Sequence, residues 1–120
     1  MSDLSRAIRP LSGSVLVLVL FQGIVGWELT QGTDYGHTHT AYLLTVIALA
    51  LPVIVIKSGI DDKSVRGNSF AVAGMVVIQL FVGMFLMTDD WGFGWVHVPL
   101  AMMIAAHSFA VLISMRNISI

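Results

Sequence analysis

Four histidines, His37, His39, His97 and His107, are the residues of this 120-residue chain whose type and spacing point to chemistry. Imidazole is a common metal ligand and a proton carrier near neutral pH. Two imidazoles on facing helices suit the iron of a b-type haem. The pair His37-Thr38-His39, with Met84 and Met87 at a similar depth, offers imidazole and thioether, a set that suits copper. Cysteine is absent, which excludes disulfides, iron–sulfur clusters, thiolate zinc and covalent c-type haem. A reading without any cofactor also stands: the histidines near an interface would then be solvated polar groups, and the chain an accessory subunit of a larger membrane complex.

These side chains need elements to hold them, and composition names the solvent of those elements. Hydrophobic residues make up 57% of the chain and charged residues 11%, with a mean hydropathy of +0.89. A soluble domain carries about 25% charged residues, and a chain this short could not hide so much apolar surface from water. The solvent is therefore expected to be lipid. A net charge of −1 gives no reason to expect a nucleic-acid partner. Spans of about 20 apolar residues are needed to cross the hydrocarbon, and four stretches fit: Leu11–Leu29, His39–Ile56, Phe70–Met87 and Trp95–Ser114. Arg6 and Arg9 precede the first as in a signal peptide, but no small-residue cleavage site follows, so a retained helix is expected. The fold predicted is an all-α, four-helix antiparallel transmembrane bundle in one domain. Its helices are apolar around most of their circumference, which leaves room for a homo-oligomer.

All six basic residues (Arg6, Arg9, Lys57, Lys63, Arg66 and Arg116) fall on one side of such a bundle, while Glu28, Asp34, Asp89 and Asp90 fall on the other. The positive-inside rule then puts both termini in the cytoplasm of a multi-pass protein of a prokaryotic plasma membrane, with Trp27, Tyr35, Trp91 and Trp95 at the outer boundary.

The two halves of the chain share a pattern. Gln22, Val25 and Gly26 in the first helix match Gln79, Val82 and Gly83 in the third, and His37 with Ala41 matches His97 with Ala101. An internal helix-pair repeat of this kind would bring His37 and His97 to one depth and point both at a common space. His39 is the alternative on the second helix: it lies two residues on, so only one of the pair can face the core. Gly23, Gly26, Gly74, Gly83, Ala101 and Ala105 could line a flat slot for a haem, although small residues in membrane helices also serve plain helix packing. His107 is an ionisable group deep in an apolar run, a costly placement that marks function. Counted nine residues outward from Arg116, it matches Met75 in height, with Gln79 one turn further out. It is read as a neutral histidine bonded to Gln79, with a second-site metal ligand or a quinone contact as alternatives.

The order of an apolar helix with Gln-x-x-x-Gly, an outer loop, and His-x-x-x-Ala opening the next helix, occurring twice, resembles one half of heme A synthase. Val96-His97-Val98-Pro99-Leu100 also resembles the opening of the last helix in a family of small four-helix membrane proteins. The resemblance implies haem near the outer face, gripped by His37 and His97, and leaves open a haem-modifying oxidase with Asp34 or Glu28 as its acid. Three features depart from the synthase pattern: Asp34 stands where a glutamate is usual, Thr38 where a basic residue is usual, and the outer-loop cysteine pair is missing. The function expected is thus b-type haem binding for electron transfer within the membrane, with a quinone or a membrane redox protein as partner.

Overall fold

The computed structural model describes residues 3–87 and 92–118, and within them the chain is helical with short connections. The helices are α1 (Ser5–Thr30), α2 (His37–Ser58), α3 (Lys63–Phe81) and α4 (Gly94–Arg116). A single π turn, Val82–Leu86, extends α3 without a break. All four are long and apolar enough to cross a membrane. Each packs on two neighbours, α1 on α2, α2 on α3, α3 on α4 and α4 back on α1. The ring they form measures 48 × 21 × 19 Å. Asp89, Asp90 and Trp91 lie outside the described residues.

The helices run beyond the apolar stretches that announce them, chiefly toward the basic end. Helix α3 starts at Lys63, seven residues before Phe70, because the Asp62 carboxylate caps it by accepting the Val65 N–H at 2.8 Å. A hydropathy window passes over such a polar first turn. Helix α2 ends at Gly59, whose φ of 78° is the left-handed conformation that closes a helix and that only glycine adopts cheaply. Lys57 and Arg116 sit in the last turns of α2 and α4, where a cation meets the negative end of the helix dipole.

The two ends of the bundle are built differently. Toward the basic end the interior is solid: Ile8, Val15, Leu51, Val55, Val65, Val72, Val111 and Met115 are fully or almost fully buried. Serines make the close approaches there. The Ser12 hydroxyl donates to the Ser108 carbonyl at 2.7 Å, tying α1 to α4, and Ser64 and Ser114 share a 2.8 Å hydroxyl contact between α3 and α4. Small hydroxyl residues let membrane helices pack tightly while their polar groups stay satisfied. Toward the other end histidine, glycine and alanine join buried Val25, Leu44, Val76, Val82 and Ile104 in the interior. The outward surface, from Val17 and Ile24 to Phe85 and Met102, is apolar, as lipid requires.

Candidate functional site

The second helix begins where it does because of a short polar turn. Gly36 adopts φ 89°, and the Asp34 carboxylate accepts its N–H at 2.8 Å, so the chain reverses and enters α2 at His37. Helix α4 opens at Gly94 and carries His97 in its first turn. Both histidines are half-buried, and they face each other across the bundle. Their ring centroids are 6.4 Å apart, with the planes inclined by 63°.

The same contacts recur on each side of this pair. The Gln22 side-chain amide donates to the His37 carbonyl at 2.9 Å, and the Gln79 amide donates to the His97 carbonyl at 2.7 Å. One turn further along each helix is a glycine pressed by a ring. A Cβ on Gly26 would stand 3.1 Å from His37 Cε1, and one on Gly83 would stand 3.2 Å from His97 Cε1. Real side chains rarely approach so closely, so glycine at these two positions is what lets the imidazoles reach the backbone of the preceding helix. Gly83 also belongs to the π turn, in which the Met87 N–H reaches back to the Val82 carbonyl at 3.0 Å. Such wide turns are frequent at functional sites.

Beside the histidines lies a cavity of about 1400 Å³. That exceeds the roughly 300–1,000 Å³ of an ordinary small-molecule pocket. Both histidines and both glutamines line it, together with Gly23, Gly26, Gly83, Ala41, Ala101 and Ala105. Four polar side-chain atoms are buried without a hydrogen-bond partner among the described residues: Nδ1 of His37 and of His97, and Oε1 of Gln22 and of Gln79. A buried polar atom left unpaired costs about 1–3 kcal/mol. All four belong to residues that line this one cavity.

At their 6.4 Å spacing and 63° tilt the two rings stand edge to face, within the range of about 4.5–7 Å usual for ring pairs. Among the described residues no group of three or more His, Asp or Glu converges to hold a bare ion. Two imidazoles lining one cavity, with small residues around them, are a donor set that would suit a group bringing further donors of its own, as haem does.

The remaining candidates separate clearly. His39 is exposed and points away from the cavity that His37 lines, so the His37-Thr38-His39 pair does not converge. Met84 and Met87 line the cavity, and the Met84 sulfur is 3.9 Å from the Tyr42 hydroxyl. A Cβ on Gly74 would meet nothing within 4 Å, and the residue lies away from the cavity. Neither Asp34 nor Glu28 lines the cavity; the Asp34 carboxylate is engaged in the turn before α2.

His107 is outside the site, and its partner is not the glutamine that the sequence suggests. Its Nδ1 is 2.7 Å from Asn68 Oδ1, whereas Gln79 belongs to His97. Matching His107 to Met75 in height sets Arg66 level with Arg116. Ser64 is instead level with Ser114, which shifts α3 by about one turn relative to α4 and brings Asn68 within reach. Asn68 in turn donates to the Ser64 carbonyl at 2.8 Å, so His107 ends a polar seam in the packed half.

The repeat pattern marks Gln22 and Gln79 as matching positions without giving either a part in the histidine site. The available signal is their cost: an amide in an apolar helix seeks a partner on a neighbouring helix. Comparisons with protein-family models, with curated proteins and with solved structures gave no match.

Proposed function

We propose that this chain is a membrane b-type haem protein in which His37 and His97 would hold the iron, serving electron transfer near the outer face of a prokaryotic cell membrane. The observation that carries the reading is the opposed histidine pair, 6.4 Å between centroids, at the head of a cavity cradled by Gly26 and Gly83. Haem bound there supplies reversible one-electron transfer. The chain's own residues do the rest. The two histidines would hold the metal from α2 and α4, Gly23, Gly26, Gly83, Ala101 and Ala105 would leave space for a flat group, and the apolar helices would keep water from it. The matching contacts of the two halves support an origin by duplication of a helix pair.

One haem per chain is expected, because His107 is engaged with Asn68 in the packed half. Purified protein should show a Soret band and a sharp reduced α-band of six-coordinate, low-spin iron. Pyridine-haemochrome titration against protein concentration should approach one. A folded protein that stays colourless after expression with added haem precursor sinks the proposal, and a ratio near two would make His107 a ligand.

The proposed orientation puts the basic end in the cytoplasm. Cysteine introduced at exposed Tyr35 should react with an impermeant thiol reagent on intact cells, and cysteine at Ser64 should be protected. The opposite labelling pattern reverses the topology and moves the histidines to the inner face.

A further inference from the structure

The side walls of the bundle differ at the height of the histidines. Successive residues turn by about 100° around a helix, so Leu20 and Trp27 lie on the flank of α1 opposite Gln22. Gln22 reaches α2, and that opposite flank looks toward α4. On α4, Val98 and Met102 lie opposite Ser114 and His107, which meet α3, and they look back toward α1. All four line the cavity, and all four are also exposed on the outside of the bundle, Trp27 at 65% and Met102 at 68%. The cavity therefore reaches the surface between α1 and α4, through a mouth of apolar side chains. The wall between α2 and α3 carries different residues at the matching positions. The pattern that matches Gln22 to Gln79 and His37 to His97 also matches Gly23 to Leu80, Trp27 to Met84 and Met102 to Tyr42. On that side the Tyr42 hydroxyl reaches across to the Met84 sulfur, 3.9 Å away, and Leu80 has a side chain where α1 has only Gly23. A Cβ on Gly23 would meet nothing within 4 Å, so the missing side chain leaves open space beside the mouth.

We propose that this mouth is an entrance from the bilayer, framed by Leu20, Trp27, Val98 and Met102, and that the ligand using it is a lipid-dissolved quinone. The helices that carry it are long and apolar enough to cross a membrane, so lipid rather than water faces the mouth. A ligand arriving there has to be soluble in lipid. The cavity it enters is not uniformly apolar. His37, His97, Gln22 and Gln79 line it among small residues, with apolar Val19, Leu44, Val76 and Ile104 further along the same helices. A flat ring bearing oxygen atoms suits the small and polar part, and a hydrocarbon tail suits the mouth and the lipid beyond it. A quinone has both. A volume of about 1400 Å³ against the roughly 300–1,000 Å³ of an ordinary pocket leaves room for its ring beside a group held by the histidines. The quinone's place as redox partner rests on the haem reading; the entrance does not.

The test uses haem-free protein in lipid nanodiscs, with Trp91→Phe and Trp95→Phe so that Trp27 is the single tryptophan. Decylubiquinone added to the lipid should quench Trp27 fluorescence saturably. Gly23→Leu gives α1 the residue that α3 has at the matching position. It should weaken binding about tenfold or more, the order of effect that a methylene or two has in an apolar pocket. Gly23→Ala should weaken it less and keep the fold, since nothing stands within 4 Å of the added carbon. Gly74→Leu, away from the cavity, should leave binding unchanged. Quenching that rises linearly with quinone and never saturates overturns the site. Saturable quenching that both Gly23 variants leave unchanged overturns the entrance between α1 and α4. Equal competition by decanol would make the mouth a slot for any apolar tail and overturn the quinone. If quinone binds and haem never does, the haem reading falls alone; if haem binds and quinone does not, this inference falls alone.

Discussion

His97→Ala is expected to leave a folded, helical protein that has lost its low-spin haem spectrum. The backbone carbonyl that receives the Gln79 amide is unchanged by the substitution, and the His97 ring is not part of the packed core, which lies toward the other end of the bundle. Global stability should therefore move little. The metal site, in contrast, loses one of two protein ligands. Removing a partner of a metal ligand typically costs 10–100-fold in affinity, so removal of the ligand itself should cost more than about 100-fold, or convert the residual haem to a five-coordinate, high-spin form. His37→Ala should behave in the same way, since the two histidines occupy equivalent places. His39→Ala is the internal control: its side chain is exposed and outside the cavity, and the spectrum should not change. Absorption spectra of the three variants, taken oxidised and reduced, decide the assignment. A normal spectrum in His37→Ala with loss in His39→Ala would transfer the role to His39, and normal spectra in both His37→Ala and His97→Ala would remove haem from this site.

Much of the bundle can be read from the order of residues, for a physical reason. Lipid tolerates a spanning segment only if its backbone bonds are satisfied within a helix, so an apolar run such as His39–Ile56 has one available structure. The segregation of Arg6, Lys57, Lys63 and Arg116 from Glu28 and Asp34 likewise follows from an up-and-down path. What hydropathy does not carry is the exact height of one helix against another. That height is set by polar contacts, the Asp62 cap and the Ser64–Ser114 pair, and a difference of one turn there is what gives His107 to Asn68 rather than to Gln79. The choice of His37 over His39 as the inward residue rests on matching Ala41 to Ala101, and both alanines do line the cavity. The π turn at Val82–Leu86 has no counterpart in the pattern, because a one-residue widening of a helix leaves its apolar character untouched.

The glycines offer a test in which packing and cofactor binding pull in opposite directions. A glycine inside a helix is destabilising by about 0.5–1 kcal/mol relative to alanine, through the freedom it loses on folding. Gly26→Ala should therefore leave the haem-free protein as stable as before or slightly more so, because an unligated His37 ring can swing away from the added methyl. With the ring pinned to a metal that escape is closed. The methyl carbon would stand 3.1 Å from Cε1 and 3.3 Å from Nδ1, and either the imidazole or the helix has to yield. The loaded protein should accordingly bind haem more weakly while the empty protein melts no lower. Gly26→Leu extends the effect, since a branched side chain would fill the space that the ring occupies, and six-coordinate haem should be lost altogether. Gly83→Leu should do the same at His97, where a Cβ would stand 3.2 Å from Cε1. Gly74→Leu provides the comparison, for nothing lies within 4 Å of a Cβ there and the position is outside the cavity. Thermal melts of empty protein and haem titrations of each variant make the two readings diverge. Glycines that serve only helix packing would lower the melting temperature of the empty protein on substitution, and glycines that make room for a ligated imidazole would lower haem affinity alone.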